Sequence, residues 1–217
     1  DRFRKAAVVE QQHADVVVAV GGQRMFDQRV EAEKGVNEFQ HYFAEQFEQR
    51  KENPRDDLLT NLLNARVDDD DPDVTDKRPL DMPEMLSIVQ QLLVAGNETT
   101  RALISTGMHE LLARPALYAE LQARPAGLPL AIEEMLRFDP PIQGIERRLT
   151  QPHVVQGQRL EAGEKVFLLV ASANRDPRRI ERPDDFDIAR APNRHLSFGW
   201  GTHFCLGASL ARLEARI

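Results

Sequence analysis

The chain's one cysteine lies in its most distinctive stretch, Phe198-Gly199-Trp200-Gly201-Thr202-His203-Phe204-Cys205-Leu206-Gly207. Three glycines within nine residues let the backbone turn tightly and approach a neighbour closely. Cys205 also sits just before a helical pattern, whose free N–H groups and dipole favour an anionic sulfur. Such an arrangement suits a thiolate ligand. Two other readings stand beside it. A lone cysteine can be a small buried hydrophobe, or it can be a nucleophile working with His203, although an i, i+2 pair on a loop need not face each other and no orienting third group is evident.

Three further places could carry chemistry. Ala95-Gly96-Asn97-Glu98-Thr99-Thr100 interrupts a long helical pattern, and a mid-helix glycine costs ~1 kcal/mol relative to alanine. It is either a bend, with the Thr99 hydroxyl bonded back to a carbonyl and Glu98 on a wet face, or a gap where a small molecule approaches an acid and a hydroxyl that relay protons. Glu134 and Arg137, within Glu133-Glu134-Met135-Leu136-Arg137, are i, i+3 neighbours. A helical projection sets them opposite the stripe of Leu128, Ile132, Met135 and Leu136, on a solvated face. Last come the cations Arg147, Arg190, His195 and His203, in a region where residues 171–217 hold eight arginines against six acids. This mild excess suits carboxylate ligands or an acidic protein partner better than nucleic acid.

Several elements must position these residues. Val36, Phe39, Phe43 and Phe47 recur at helical spacing over 24–50, and Asn53-Pro54 closes that helix. Asp56-Asp57-Leu58-Leu59 opens a shorter one. Asp81-Met82-Pro83-Glu84 joins a cap, an early proline and a glutamate three positions on, which predicts a helix running to about Arg114-Pro115, some ~45 Å at 1.5 Å per residue. Short helices follow around 116–123 and 128–138, closed by Asp139-Pro140-Pro141. Val154-Val155, Gly157–160 and 165–170 read as short strands, with the tight connection at Glu161-Ala162-Gly163. Residues 174–204 form a long ordered loop before a last helix with Leu206, Leu210, Leu213 and Ile217 on one face.

At 217 residues, net charge −7 and 41% hydrophobic content, the composition is that of a soluble globular protein. A single cysteine excludes an internal disulfide and the paired-cysteine zinc sites. The longest uncharged apolar stretch falls short of the roughly 18 residues a membrane span needs. Between Lys51 and Asp76 there are three basic and nine acidic residues. The run Asp68-Asp69-Asp70-Asp71-Pro72-Asp73 is a solvated acidic loop, because Pro72 and the missing glycine and glutamate break the calcium-loop pattern.

Taken together and in this order, these stretches resemble a cytochrome P450 over essentially the whole chain. Phe198-x-x-Gly201-x-x-x-Cys205-x-Gly207 is similar to the family's haem-binding signature, which implies that Cys205 is the proximal thiolate ligand of haem b. An anionic sulfur there pushes electron density onto iron and favours O–O cleavage. Ala95-Gly96-Asn97-Glu98-Thr99 resembles the central helix, implying Glu98 and Thr99 as the acid and alcohol that deliver protons to dioxygen. Glu134-x-x-Arg137 resembles the family's Glu-x-x-Arg, and Arg190, after Pro183, Phe186 and Asp187, resembles the third member of that buried network, against the solvated face given by projection. Arg147 and His203 match contacts to haem propionates, and the implied haem-binding set is completed by Phe198, Gly199, Gly207 and Ala95. Asn174-Arg175-Asp176-Pro177 matches a segment typical of soluble bacterial members, whereas Trp200 stands where many of these have a histidine.

The resemblance implies a mainly α, partial cytochrome P450 fold with a long central helix, a small β-hairpin region and a cysteine-ligand loop. Residues 1–217 would form one incomplete domain, helical over 1–138, with hairpin, loop and haem-ligand region over 139–217, lacking the family's N-terminal part and C-terminal tail. The implied activity is that of a cytoplasmic haem-thiolate monooxygenase. It would insert one atom of dioxygen into a small apolar organic substrate, with electrons from a ferredoxin and reductase or from a fused reductase domain, and with no nucleic-acid or membrane partner. Two alternatives remain: a peroxide-driven peroxygenase on the same fold, against which the Glu98-Thr99 pair argues, and a haem- or ligand-binding protein without turnover.

Overall fold

The computed structural model describes residues 22–66 and 78–217, with side chains from residue 34 onward. The acidic run 68–73 lies outside the described residues. Contacts divide the chain into two compact units, the boundary falling between Gln91 and Leu92.

In the first unit, helix α1 spans Gly22–Glu52 and turns Phe39, Phe43 and Phe47 to one side, with Phe47 fully buried against Leu59, Met85 and Val89. Helix α2, Leu58–Asn64, is capped by Asp57, whose Oδ1 accepts the Thr60 amide at 3.0 Å and whose carboxylate also holds the Arg50 guanidinium. Helix α3 spans Met82–Leu112, as the start signal predicts. The Asp81 amide donates to Glu84 Oε2 at 2.8 Å and the Glu84 amide to Asp81 Oδ1 at 2.9 Å, a complete capping box. Arg78 forks onto Glu84 and, with the Asp81 amide, holds its carboxyl down to about 2.

The second unit takes over within α3. Helix α4, Pro115–Ala123, begins on its proline, and α5, Leu128–Phe138, ends at the two prolines 140 and 141 that cannot continue it. Leu103 and Leu111 of α3 and Ile132 and Leu136 of α5 form the core with Phe186 and Ile188 of the long loop. A Cβ at Gly107 would overlap Met135 Sδ, so glycine is what lets α3 close onto α5.

The β region differs from expectation in its pairing. Strands β2, His153–Val155, and β3, Gln158–Leu160, are joined in a hairpin by Gln156 and Gly157, both at positive φ (52° and 80°). The expected turn at 161–163 is also present, with Gly163 at φ 89° and the Glu164 amide donating to the Glu161 carbonyl at 3.2 Å, but it links β3 to the next strand without pairing the two. Strand β4, Lys165–Leu168, pairs antiparallel with β1, Ile145–Arg148, in the register Arg147↔Val166. Strand β1 was not expected, because Ile145-Glu146-Arg147-Arg148 lacks apolar alternation. A short helical turn α6, Val170–Ala173, takes the place of the end of the last predicted strand. Residues 174–200 then contain neither helix nor strand, although Ile180, Phe186 and Ile188 anchor them in the core. The final helix α7 spans Ala208–Glu214.

Candidate active site around Cys205

The cysteine loop is built by backbone turns. Gly199 and Gly201 both have positive φ (75° and 72°), a region where a side chain is strained. The Gly199 amide donates to the Leu196 carbonyl at 2.8 Å, and the Cys205 amide to the Phe198 carbonyl at 2.8 Å, so the segment folds back on itself. A 3₁₀ turn, Gly201–His203, carries the chain to Cys205, which is exposed. A Cβ at Gly207 would stand 3.9 Å from the sulfur. Phe204, Leu206, Leu210 and Leu213 are bare on the same loop and on α7, with Leu206 90% exposed. Trp200 is 85% exposed.

On α3, both readings of residues 95–100 have a counterpart. The Thr99 hydroxyl donates to the Ala95 carbonyl at 2.6 Å, and the helix remains continuous through Gly96. A Cβ at Gly96 would meet nothing within 4 Å, so the helix borders open space there. Glu98 is exposed and has no hydrogen-bond or ion-pair partner among the described residues. Leu92, Leu93 and Val94 precede it as exposed apolar side chains.

The four downstream basic residues fall into two kinds. Arg147, held in β1, donates only to the Glu146 carbonyl, and His203 is exposed with no side-chain partner among the described residues. Both are free to meet an external anion. Arg190 is spent internally on Glu134 Oε2 at 3.0 Å and on the carbonyls of Glu181, Arg182 and Asp185. His195 is likewise engaged: its Nδ1 accepts the Ser197 amide at 3.2 Å, so Nε2 carries the proton and donates to Glu133 Oε2 at 3.0 Å.

Glu134 and Arg137 are both fully buried, which overturns the solvated face from projection and agrees with the family resemblance. Glu134 accepts from Arg137 Nε and Nη2 at 2.8 Å each, the Asp187 amide at 2.8 Å, and Arg190 Nε and Asn193 Nδ2 at 3.0 Å each. Arg137 also donates to the carbonyls of Asn174, Pro183 and Asp185. The projection failed because it ranks a face by the apolar residues on it, whereas this face is buried by a polar loop that satisfies it.

Two supports went unread in the sequence. Asn174, 1% exposed, accepts the Leu196 amide at 2.8 Å and donates to Ser197 Oγ at 2.9 Å, so the Asn174-Arg175-Asp176-Pro177 segment braces the start of the cysteine loop. Glu133 accepts from Arg212 Nε at 2.6 Å and Nη2 at 2.8 Å. Burial pushes the Glu133 carboxyl up, but hydrogen bonds from Arg212 and His195 outweigh it and hold the group at about 2. The Glu133 hydrogen bond raises the Arg212 guanidinium in turn, against burial, and the charge of the Cys205 sulfur adds to the rise. The only signal for Glu133 in the sequence is its place beside Glu134, since its partner lies 79 residues away.

The sequence model of the family described as Cytochrome P450 matches residues 128–217. The biotin biosynthesis cytochrome P450 of Bacillus subtilis is 42% identical over 176 residues, which cover 81% of this chain and 42% of that protein. The steroid C26-monooxygenase of Mycobacterium tuberculosis is 42% identical over 165 residues, covering 76% and 42%. Among solved structures, CYP109E1 from Bacillus megaterium in complex with testosterone superposes with a TM-score of 0.82 at 35% identity, covering 95% of this chain and 53% of that one. The fold is that of solved cytochrome P450 structures, with a cysteine loop and a long helix. The chain belongs to the cytochrome P450 family. It spans a little under half the length of the curated relatives it matches.

The family implies haem iron, and the donor set fits that group. A soft sulfur stands exposed on a glycine-built turn, large apolar side chains lie bare beside it, and Arg147 and His203 are basic side chains without a carboxylate partner among the described residues. These match in turn an iron, an apolar macrocycle and its anionic carboxylates. No helix among the described residues is long and apolar enough to cross a membrane.

Proposed function

We propose that the protein is a haem-thiolate monooxygenase in which Cys205 would hold the haem iron through its sulfur, and that it places one atom of dioxygen into a small apolar organic substrate. The observation that carries this reading is the exposed Cys205 sulfur on its glycine-built turn, within the stretch that matches the family. When bound, haem supplies dioxygen activation, and a thiolate on its iron favours O–O cleavage.

The chain's own residues divide the remaining work. Phe198, Gly199 and Gly207 shape the turn that presents the sulfur. Arg147 and His203 pair with the propionate carboxylates, where charge-assisted hydrogen bonds are strongest. Thr99 holds its proton against the Ala95 carbonyl and hands it on when that bond is released, while the exposed Glu98 carboxylate takes up replacement protons from water. Leu92, Leu93 and Val94 line the same stretch of α3 with apolar surface suited to an apolar substrate. The names of the steroid C26-monooxygenase and of the testosterone complex support that substrate class.

Electrons come from a ferredoxin and its reductase or from a fused reductase domain. Arg175, Arg178, Arg182, Arg190 and Arg212 are paired to acids within the chain. Arg179, Arg194 and Arg216 form no salt bridge among the described residues, and these are the cations left to steer an acidic donor.

The test is an absorption spectrum of the full-length protein loaded with haem, reduced and treated with carbon monoxide, beside a Cys205→Ser variant. A band at the wavelength after which the family is named, lost in the variant, is expected. A band of another kind that the variant shares would remove Cys205 from the iron and the monooxygenase reading with it.

A further inference from the structure

Helix α5 carries two adjacent glutamates with separate duties. Glu134 is spent on Arg137, Arg190, Asn193 and the Asp187 amide, none of which belongs to the cysteine loop. Glu133 turns to two residues that bracket that loop, His195 before it and Arg212 on α7 after it. We propose that Glu133 is a positioning residue for Cys205, tying the start of the loop through His195 and its end through Arg212 to helix α5, so that the sulfur keeps one orientation. The inference rests on the reading of Cys205 as the iron ligand.

The contacts form a continuous path. Arg212 grips both oxygens of Glu133 with Nε and Nη2, a fork that fixes the guanidinium plane. That plane lies 4.5 Å from the centroid of the Phe198 ring, and the His195 ring lies 5.9 Å from it on the loop's other arm. Phe198 in turn accepts the Cys205 amide through its carbonyl. One carboxylate therefore holds the two side chains that flank Phe198, and Phe198 holds the backbone of the cysteine. Half-burial matters here, because the side chains of Glu133 and Arg212 are 22% and 30% exposed and the fork is shielded from most competing water. Among the described residues, the Glu133 carboxylate has no side-chain partner other than these two residues that bracket the loop.

The test uses the full-length haem-loaded protein and reads three quantities: the rate of haem transfer to a haem-free globin, the reduced carbon-monoxide spectrum, and the unfolding midpoint in denaturant. Loss of a group that orients a metal ligand costs about 10–100-fold in metal affinity or activity. Glu133→Gln and Arg212→Gln are each expected to speed haem loss about tenfold or more and to move the carbon-monoxide band away from the thiolate position. The double variant is expected to be little worse than either single one, and Glu133→Asp to recover part of the loss. Arg159→Gln, in the exposed Arg159–Glu161 pair, is the control and leaves all three readouts at the native value.

Native haem-loss rates and a native band in both variants would overturn the proposal. So would changes that only track a fallen unfolding midpoint, since a fold-wide defect moves all three together. If Glu133→Gln does not fold, Arg212→Lys carries the same comparison: it keeps the charge and removes the fork, and native behaviour in it would also overturn the proposal. A native protein with no thiolate band overturns the Cys205 reading first, a result no variant can mimic.

Discussion

The two faces of helix α5 are built on opposite plans. On the Glu134 side, two fully buried charges are met by an arginine, an asparagine, a backbone amide and three carbonyls, all from this chain. Only Asn193 Oδ1 is left without a partner among the buried side-chain atoms described. Around the cysteine loop the reverse holds: the sulfur, His203 and a row of large apolar side chains are exposed, and the described residues supply them with almost no partners. Burying ions is costly unless every hydrogen bond is made, so the first side acts as a lock on the loop's path. Exposed apolar surface beside an exposed sulfur is met by nothing among the described residues of this chain, which spans less than half the length of the curated relatives it matches.

The largest expected effect breaks the lock. Arg137→Ala strands the Glu134 charge and is expected to cost about 3–5 kcal/mol in denaturant unfolding. A cost below about 1 kcal/mol, the range of exposed pairs, would place the two faces on the same plan after all. Gly144→Ala comes next, because its Cβ would stand 2.5 Å from Phe167 Cε1 and 3.0 Å from the Leu168 carbonyl at the head of the β1–β4 pair. Overpacking of this kind costs about 1–3 kcal/mol, and weaker haem retention through Arg147 should accompany it.

Thr99→Ala should barely move the unfolding curve, about 0.5–1.5 kcal/mol for one hydrogen bond. It should nonetheless lower the product formed per electron consumed, which a stoichiometric assay reads directly; unchanged coupling would remove Thr99 from proton delivery. The last test is a pH dependence. The Glu133 carboxyl is held at about 2, below its ordinary 4.5, so its stabilisation is complete above about pH 4.5 and is lost as pH falls through about 2. The stability difference between the native protein and Glu133→Gln should therefore shrink over that interval; a difference flat with pH would show that the charge contributes nothing.

Legibility in the sequence follows the range of the physics. Helix ends were readable because their signals are local. Asp81 and Glu84 cap α3 through bonds spanning three residues, and Pro140-Pro141 ends α5 by steric exclusion. The turn that presents Cys205 was readable for the same reason, since glycines mark the positions that need positive φ. Strand β1 was not, because its polar residues reveal a strand only when β4 lies beside it. The burial of Glu134 and Arg137 came from family likeness and not from periodicity, which sorted them to the wrong face.

The sequence by itself therefore determined helices α1 to α5 and their limits, the cysteine turn, and the acid and alcohol on α3, but not the short α6 or the bounds of α7, which leaves Leu206 and Ile217 outside it. Only the tertiary structure decided which cations are free and which are spent, and that Glu133 joins Arg212 across 79 residues while its neighbour Glu134 joins Arg190 across 56. Backbone propensity and capping act within a few residues, whereas the pairing of a charge depends on which surfaces the folded chain brings within about 3 Å of it.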